Sequence, residues 1–199
     1  MRFTKAILTT LVLGLFIANG HAGQKYEIDV SHSNINFTVR HMVVAKVSGG
    51  FTKFSGTIIY DEQDITKSSV SVEIKTASID TDSERRDGHL RSADFFDVET
   101  DSTITFVSKK IEKRGNNLVA IGDLKIRGVT KQIELPFTIL GTVKDQQGNT
   151  RLGIEAATAI NRFDYGVKWD NKLDNGSLVV GEKVDINLTI AAKSVVPKQ

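Results

Sequence analysis

The feature that most constrains this chain is a recurring alternation of apolar and polar residues with period two. Ile35, Phe37 and Val39 alternate with Asn36, Thr38 and Arg40, and Phe54, Gly56, Ile58 and Tyr60 share one face. Val70, Val72 and Ile74 alternate with Ser71, Glu73 and Lys75, and Ile104 and Phe106 with Thr103 and Thr105. Ile133, Leu135, Phe137 and Ile139 alternate with Gln132, Glu134, Pro136 and Thr138. Val184, Ile186, Leu188 and Ile190 alternate with Lys183, Asp185, Asn187 and Thr189. A β-strand sends successive side chains to opposite faces, so each run predicts a strand with one apolar face. Segments 117–127 and 151–160 are apolar or small on both faces.

Turn chemistry separates the runs. Asp61–Asp64, Arg114–Asn117 and Gln146–Asn149 are polar, and the last two contain Gly and Asn, as hairpin connections do. Pro136 has no N–H for a ladder and predicts an edge or a bulge. Sequential hairpins give an antiparallel meander; with about eight strands, closure into a barrel removes its open edges. The fold class is therefore all-β, an antiparallel β-barrel. Two segments break the period. Thr81–Arg91 predicts a short surface helix capped at Thr81 or Asp82. Asn161–Ser177, with Phe163, Tyr165 and Trp169, predicts a long loop of the kind that often carries function.

Residues 1–22 have the marks of a secretory signal peptide: basic Arg2 and Lys5, an uncharged stretch from Ala6 to Ala18, then Gly20 and Ala22 as the small residues of a cleavage site. The apolar run is short for a membrane span. No other long apolar run follows, so the mature chain, residues 23–199, is expected to be a single exported domain that does not span a membrane. The chain carries 26 Lys and Arg against 24 Asp and Glu, and two of the basic residues belong to the leader. The mature chain is thus near neutral, which argues against a nucleic-acid partner. The absence of cysteine rules out disulfides and thiolate chemistry.

Chemistry-bearing motifs are scarce. His32, His41 and His89 remain after cleavage, without the spacing of a metal site. No nucleophile elbow and no phosphate-binding loop is present. No catalytic residue, metal or cofactor is predicted. The apolar inventory is richer, with eight of ten phenylalanines beyond the leader. A barrel of this size is either packed solid or hollow enough for one small ligand. Periodicity leaves both open.

The motifs themselves resemble a known family. They are Ile28–Met42 (IDVSHSNINFTVRHM), Val47–Phe51, Phe54–Gly56, His89–Asp97 (HLRSADFFD), Ile104–Phe106, Gly122–Lys131 and Asn161–Gly166 (NRFDYG). In order and over nearly the whole mature chain, they resemble the YceI-like family of polyisoprenoid-binding periplasmic proteins. Ser102 stands where that family usually has proline, which puts the local turn in question. The resemblance implies a lipocalin-like barrel with an apolar channel for an isoprenoid lipid, a quinone or a similar amphiphile, no enzymatic role, and homodimers.

By position in the motifs, Ile35, Phe37 and Val39 are expected to line the channel, and Phe95 and Phe96 to close or line one end. The apolar faces add Phe54, Ile58, Val72, Ile74, Ile104, Phe106, Leu124, Phe137, Ile139, Phe163, Ile186 and Leu188 as lipid-binding candidates. Arg40, His41, His89 and Arg162 are candidates for holding a polar head, against the alternative that they are ordinary solvated groups. An exported enzyme acting on a lipid or quinone and a ligand-free structural barrel are the competing readings.

Overall fold

The computed structural model describes residues 23–195; the expected signal peptide lies outside the described residues. Its elements are β1 (Gln24–Ile28), β2 (Asn34–His41), β3 (Ala45–Phe51), β4 (Phe54–Tyr60), β5 (Ser69–Lys75), β6 (Ile79–Asp80), helix α1 (Glu84–Arg91), β7 (Thr103–Arg114), β8 (Asn117–Ile126), β9 (Val129–Lys144), β10 (Thr150–Asn161) and β11 (Val180–Ser194). All pairings are antiparallel.

These strands form eight staves, as the alternation predicts. β1 and β2 both lie along β11 and make one bent stave. β3 and β4 make the second, β5 and β6 the third. β7 to β11 follow in sequence, and β11 pairs back to β1, closing an up-and-down barrel. The break between β1 and β2 is written in their side chains. Asp29 caps a 3-10 turn at Val30–His32 by accepting from the Ser31 N–H. The buried Ser33 hydroxyl then donates to the Ala191 carbonyl and accepts from its N–H, replacing the missing ladder bonds.

The staves give the barrel two unlike ends. At one lie α1, the 42–44 turn between β2 and β3, the Arg127–Gly128 turn and the 162–179 connection. At the other lie residues 61–68, the Gly115–Asn116 hairpin and residues 145–149. The three hairpin expectations hold. So does the helix, with one correction: its cap position is Ser83, not Thr81 or Asp82. Thr81 is held instead by the buried Asp87 carboxylate, which accepts from both its N–H and its hydroxyl. The expected long loop is present and begins with a 3-10 turn at Arg162–Tyr165.

Pro136 pairs with Val119 on β8, but the β9–β10 ladder stops beside it, at Phe137 and Ala156. Beyond that point the Glu134 carbonyl accepts from the Thr158 hydroxyl, at 3.1 Å, in place of a backbone donor. The missing proline N–H thus falls where the wall opens.

The far end is tied by a charge cluster. Arg151 bonds both Asp29, at 2.6 Å, and Asp145, at 3.0 Å, and Asp145 also accepts from the Gln147 and Asn149 backbones. Burial works to raise the Asp145 pKa, but the bonds from Asn149, Arg151 and Gln147 outweigh it and pull it down to about 2. A carboxylate depressed in the folded state stabilises fully above its unfolded pKa, and that contribution fades as the pH falls through the folded value. Asp145→Asn is therefore expected to lower the melting temperature at neutral pH. The deficit relative to wild type shrinks between about pH 4 and pH 2. Parallel thermal melts across that window check it; a constant deficit would contradict it.

Candidate functional site

The inward faces of the staves enclose a cavity of about 250 Å³. Its wall comes from every stave, by residues such as Phe37, Ile58, Val72, Phe106, Leu124, Phe137, Ile154 and Ile186. Many inward-facing apolar residues in the middle of the barrel are only half-buried, among them Val39, Val72, Ile74, Leu135, Phe137, Ile186 and Leu188. In a close-packed core such residues would touch neighbours on all sides. Here they face space. The barrel is hollow, which decides between the two readings the periodicity leaves open.

Packing concentrates on either side of that space. One cluster joins Tyr26, Ile35, Phe54, Ile58, Leu152, Ile190 and Ala192, and seals the far end with Leu152 and Ala192 at 1% and 0% exposure. The other joins Ile104, Phe106, Ile111, Ala120, Leu124, Ile126 and Tyr165. The helix end is covered by the segment after α1. Phe96 meets Phe51 edge-on at 6.1 Å, and Phe51 meets Phe37 at 6.0 Å, carrying an aromatic chain into the cavity. Phe95 packs on Trp169 at 5.5 Å and on His89 at 5.0 Å. The serine-alanine-aspartate turn before Phe95 and Phe96 lets two adjacent aromatics both reach inward: the Phe95 N–H bonds the Ser92 carbonyl and the Phe96 N–H the Leu90 carbonyl.

Of the apolar candidates, Ile35, Phe37, Val39, Ile58, Val72, Ile74, Phe95, Phe96, Ile104, Phe106, Leu124, Phe137, Ile139, Ile186 and Leu188 all lie on the cavity wall. Phe54 does not; it fills the far-end cluster at 8% exposure. Phe163 lies off the wall, its ring 4.3 Å beneath the Arg162 guanidinium.

The four head-group candidates all sit at the helix end, but their side chains diverge. Arg40 is exposed and donates to the Val43 carbonyl. His41 is half-buried at the end of β2, off the wall. His89 sits on the outer face of α1's end, 3.0 Å from Asp94. Only Arg162 reaches the cavity. It is 5% exposed and donates to the carbonyls of Val167, Val180 and Gly181 at 2.7–2.9 Å, and burial holds its pKa below the usual arginine value.

Sequence reasoning passes over several lining residues. Val70, Ile133, Leu135, Val184 and Ile190 carry the visible alternation and could have been included. Ile111 could not, because a bulge between Ser108 and Lys110 shifts the phase of β7 and turns an out-of-register residue inward. Leu90, Tyr165 and Val167 lie in the helix and loop, where no period exists to read.

Known proteins share this architecture. The family model of the YceI-like domain matches residues 26–192. Protein YceI of Escherichia coli is 36% identical over 158 residues, covering 78% of this chain and 83% of that one. The structure is similar to that of BcnA from Burkholderia cenocepacia, with a TM-score of 0.72 at 23% identity over 82% of this chain and 98% of that one. It is also similar to a polyisoprenoid binding domain from Saccharophagus degradans, with a TM-score of 0.66 at 17% identity over 85% and 98% of the two chains.

Proposed function

The chain belongs to the YceI-like family, and on that premise we propose that it is a periplasmic binding or carrier protein for an isoprenoid or similar amphiphilic lipid. The observation that carries this reading is the hollow barrel: a cavity of about 250 Å³ walled almost wholly by apolar side chains, many of which packing leaves half-buried. Such a space is poorly wetted and stays available to an apolar guest. A prenyl or acyl tail gains roughly 25 cal/mol for each Å² of apolar surface it buries, before ordering costs. The name of the Saccharophagus neighbour points the same way. The role is binding without turnover, and no helix among the described residues is long and apolar enough to cross a membrane.

Native mass spectrometry of protein purified from an exported fraction, followed by solvent extraction, tests this. A stoichiometric adduct that extracts as a prenyl or related lipid is the expected result, and the same mass reads the subunit count and so tests for the homodimer that is common in the family. A clean apo mass with no uptake of added prenyl lipids would overturn the reading.

A further inference from the structure

Two polar groups stand together at the helix end of the cavity. Tyr165 is 2% exposed and lines the cavity, yet its hydroxyl makes no hydrogen bond among the described residues. Among the described residues the one sealed polar side-chain atom without a partner is Thr76 Oγ1, so the Tyr165 hydroxyl is not sealed off by packing, and Tyr165 lines the cavity. Arg162 is the one charged residue of the described lining, and it makes no ion pair among the described residues. Three carbonyls solvate its guanidinium, and the carboxylates of Glu182 and Asp170 act on it from beyond ion-pair distance. The two residues belong to one 3-10 turn, whose repeat sets positions three apart on the same edge.

We propose that Arg162 and Tyr165 form the seat for the ligand's head, and that the head is an oxyanion, a carboxylate or a phosphate monoester. This inference rests on the lipid-binding reading above. An oxyanion accepts the Tyr165 O–H and brings into direct contact with the buried guanidinium a negative charge that Glu182 and Asp170 supply only from a distance. Both groups are donors only in this role. Arginine stays charged in proteins. Burial, with a smaller contribution from Asp164, pushes the Tyr165 pKa up to about 12, so the phenol keeps its proton. An unpaired donor and an unpaired charge in an apolar wall are both costly, and one ligand group relieves both. The opposite end of the cavity has polar lining too, at Tyr60, Ser68 and Ser69, but no charge. There the Ser68 hydroxyl already accepts from the Asp61 N–H.

The test compares ligands of equal tail length, so that tail burial cancels. Dodecanoate, dodecyl phosphate and dodecanol compete with the neutral fluorescent probe N-phenylnaphthylamine at mildly alkaline pH, where both acids are ionised. An anion is harder to desolvate than an alcohol, so a preference for the anions requires a built seat. At least one anion is expected to bind about ten-fold more tightly than dodecanol, because charge-assisted bonds are about twice as strong as neutral ones. The tighter of the two anions tells a carboxylate head from a phosphate.

Tyr165→Phe is expected to cut the preference at least about five-fold and to change dodecanol binding less than about three-fold. The apo melting temperature should not fall, since the hydroxyl has no partner to lose. Tyr60→Phe should leave the preference intact. Equal affinity for all three ligands, a preference that survives Tyr165→Phe, or one lost in Tyr60→Phe would each overturn the proposal while leaving lipid binding in place. Failure of the probe and of all three ligands to bind would instead bring down the lipid-binding reading itself.

Discussion

Ala156→Trp is expected to abolish ligand uptake and leave the barrel folded. Ala156 lies on β10, half-buried on the cavity wall, with Phe137 and Leu188 as its neighbours across the ladder. Its small side chain is one reason the middle of the barrel is empty. An indole placed there points into free space, where overpacking of a filled core would normally cost about 1–3 kcal/mol. A large aromatic covers about 150–250 Å² of apolar surface. A ligand deprived of that contact loses about 4–6 kcal/mol at 25 cal/mol per Å², so affinity should fall at least about a hundred-fold. The apo melting temperature should hold or rise, because the new ring gains contacts that the cavity denied to its neighbours. Ala157→Trp, one residue on and exposed on the outer face, should change neither. Probe titration and thermal melts of the two variants settle the matter. Undiminished uptake by Ala156→Trp would show that apolar ligands bind outside the barrel.

Arg162→Leu is expected to lower the melting temperature of the ligand-free protein by about 6–12 °C. The guanidinium ties the start of β11, through Val180 and Gly181, to the loop carbonyl of Val167. Leucine fills similar space and leaves three carbonyls without donors. Each costs about 1–3 kcal/mol when fully buried. Because Val180 and Gly181 are half-buried and can recover water, a total of about 3 kcal/mol is expected, the lower end of that range. Arg162→Lys should recover only part of the loss, since an ammonium has no planar fork to meet carbonyls on different segments. Unchanged melting of Arg162→Leu would mean that the side chain serves the ligand alone. The architectural role explains why the head-group test is placed on Tyr165, whose hydroxyl can be removed without disturbing the fold.

The comparison of Arg162 with the other three head-group candidates shows how far residue type carries an argument. Arg40, His41, His89 and Arg162 look equivalent in the sequence, each a cationic or titratable group near the end of a strand or in the polar segment before Phe95. Topology brings all four to one end of the barrel. Orientation then separates them: carbonyls of β11 and the loop draw Arg162 inward, while Asp94 and Trp169 hold His89 outside. Those partners are distant in sequence. Tyr165 went unread for a similar reason. Nothing in an irregular loop says which aromatic turns toward the cavity.

The apolar faces behave differently. Alternation placed Phe37, Ile58, Val72, Phe106, Leu188 and their neighbours on the inside because the period of a strand is a local rule, satisfied residue by residue. It failed at Ile111, where a bulge inserted one extra residue. Pro136 shows the same locality from the other side: a missing N–H predicted an edge or a bulge, and although the β9–β10 bulge lies elsewhere, at Gly153 and Ile154, that ladder ends next to it, at Phe137.

The sequence by itself determined one strand in each of the eight staves, most of their inward faces, the hairpins and the helix, since each follows from neighbours a few residues apart; β1, β3 and β6 were not among the strands it showed. Only the tertiary structure decided that the barrel is hollow. Whether an inward residue fills or lines depends on the distance to the opposite wall, which strand tilt and stagger set for the barrel as a whole. Phe54 and Phe37 are both inward phenylalanines; one closes the packed end and the other borders the cavity, and no local pattern distinguishes them.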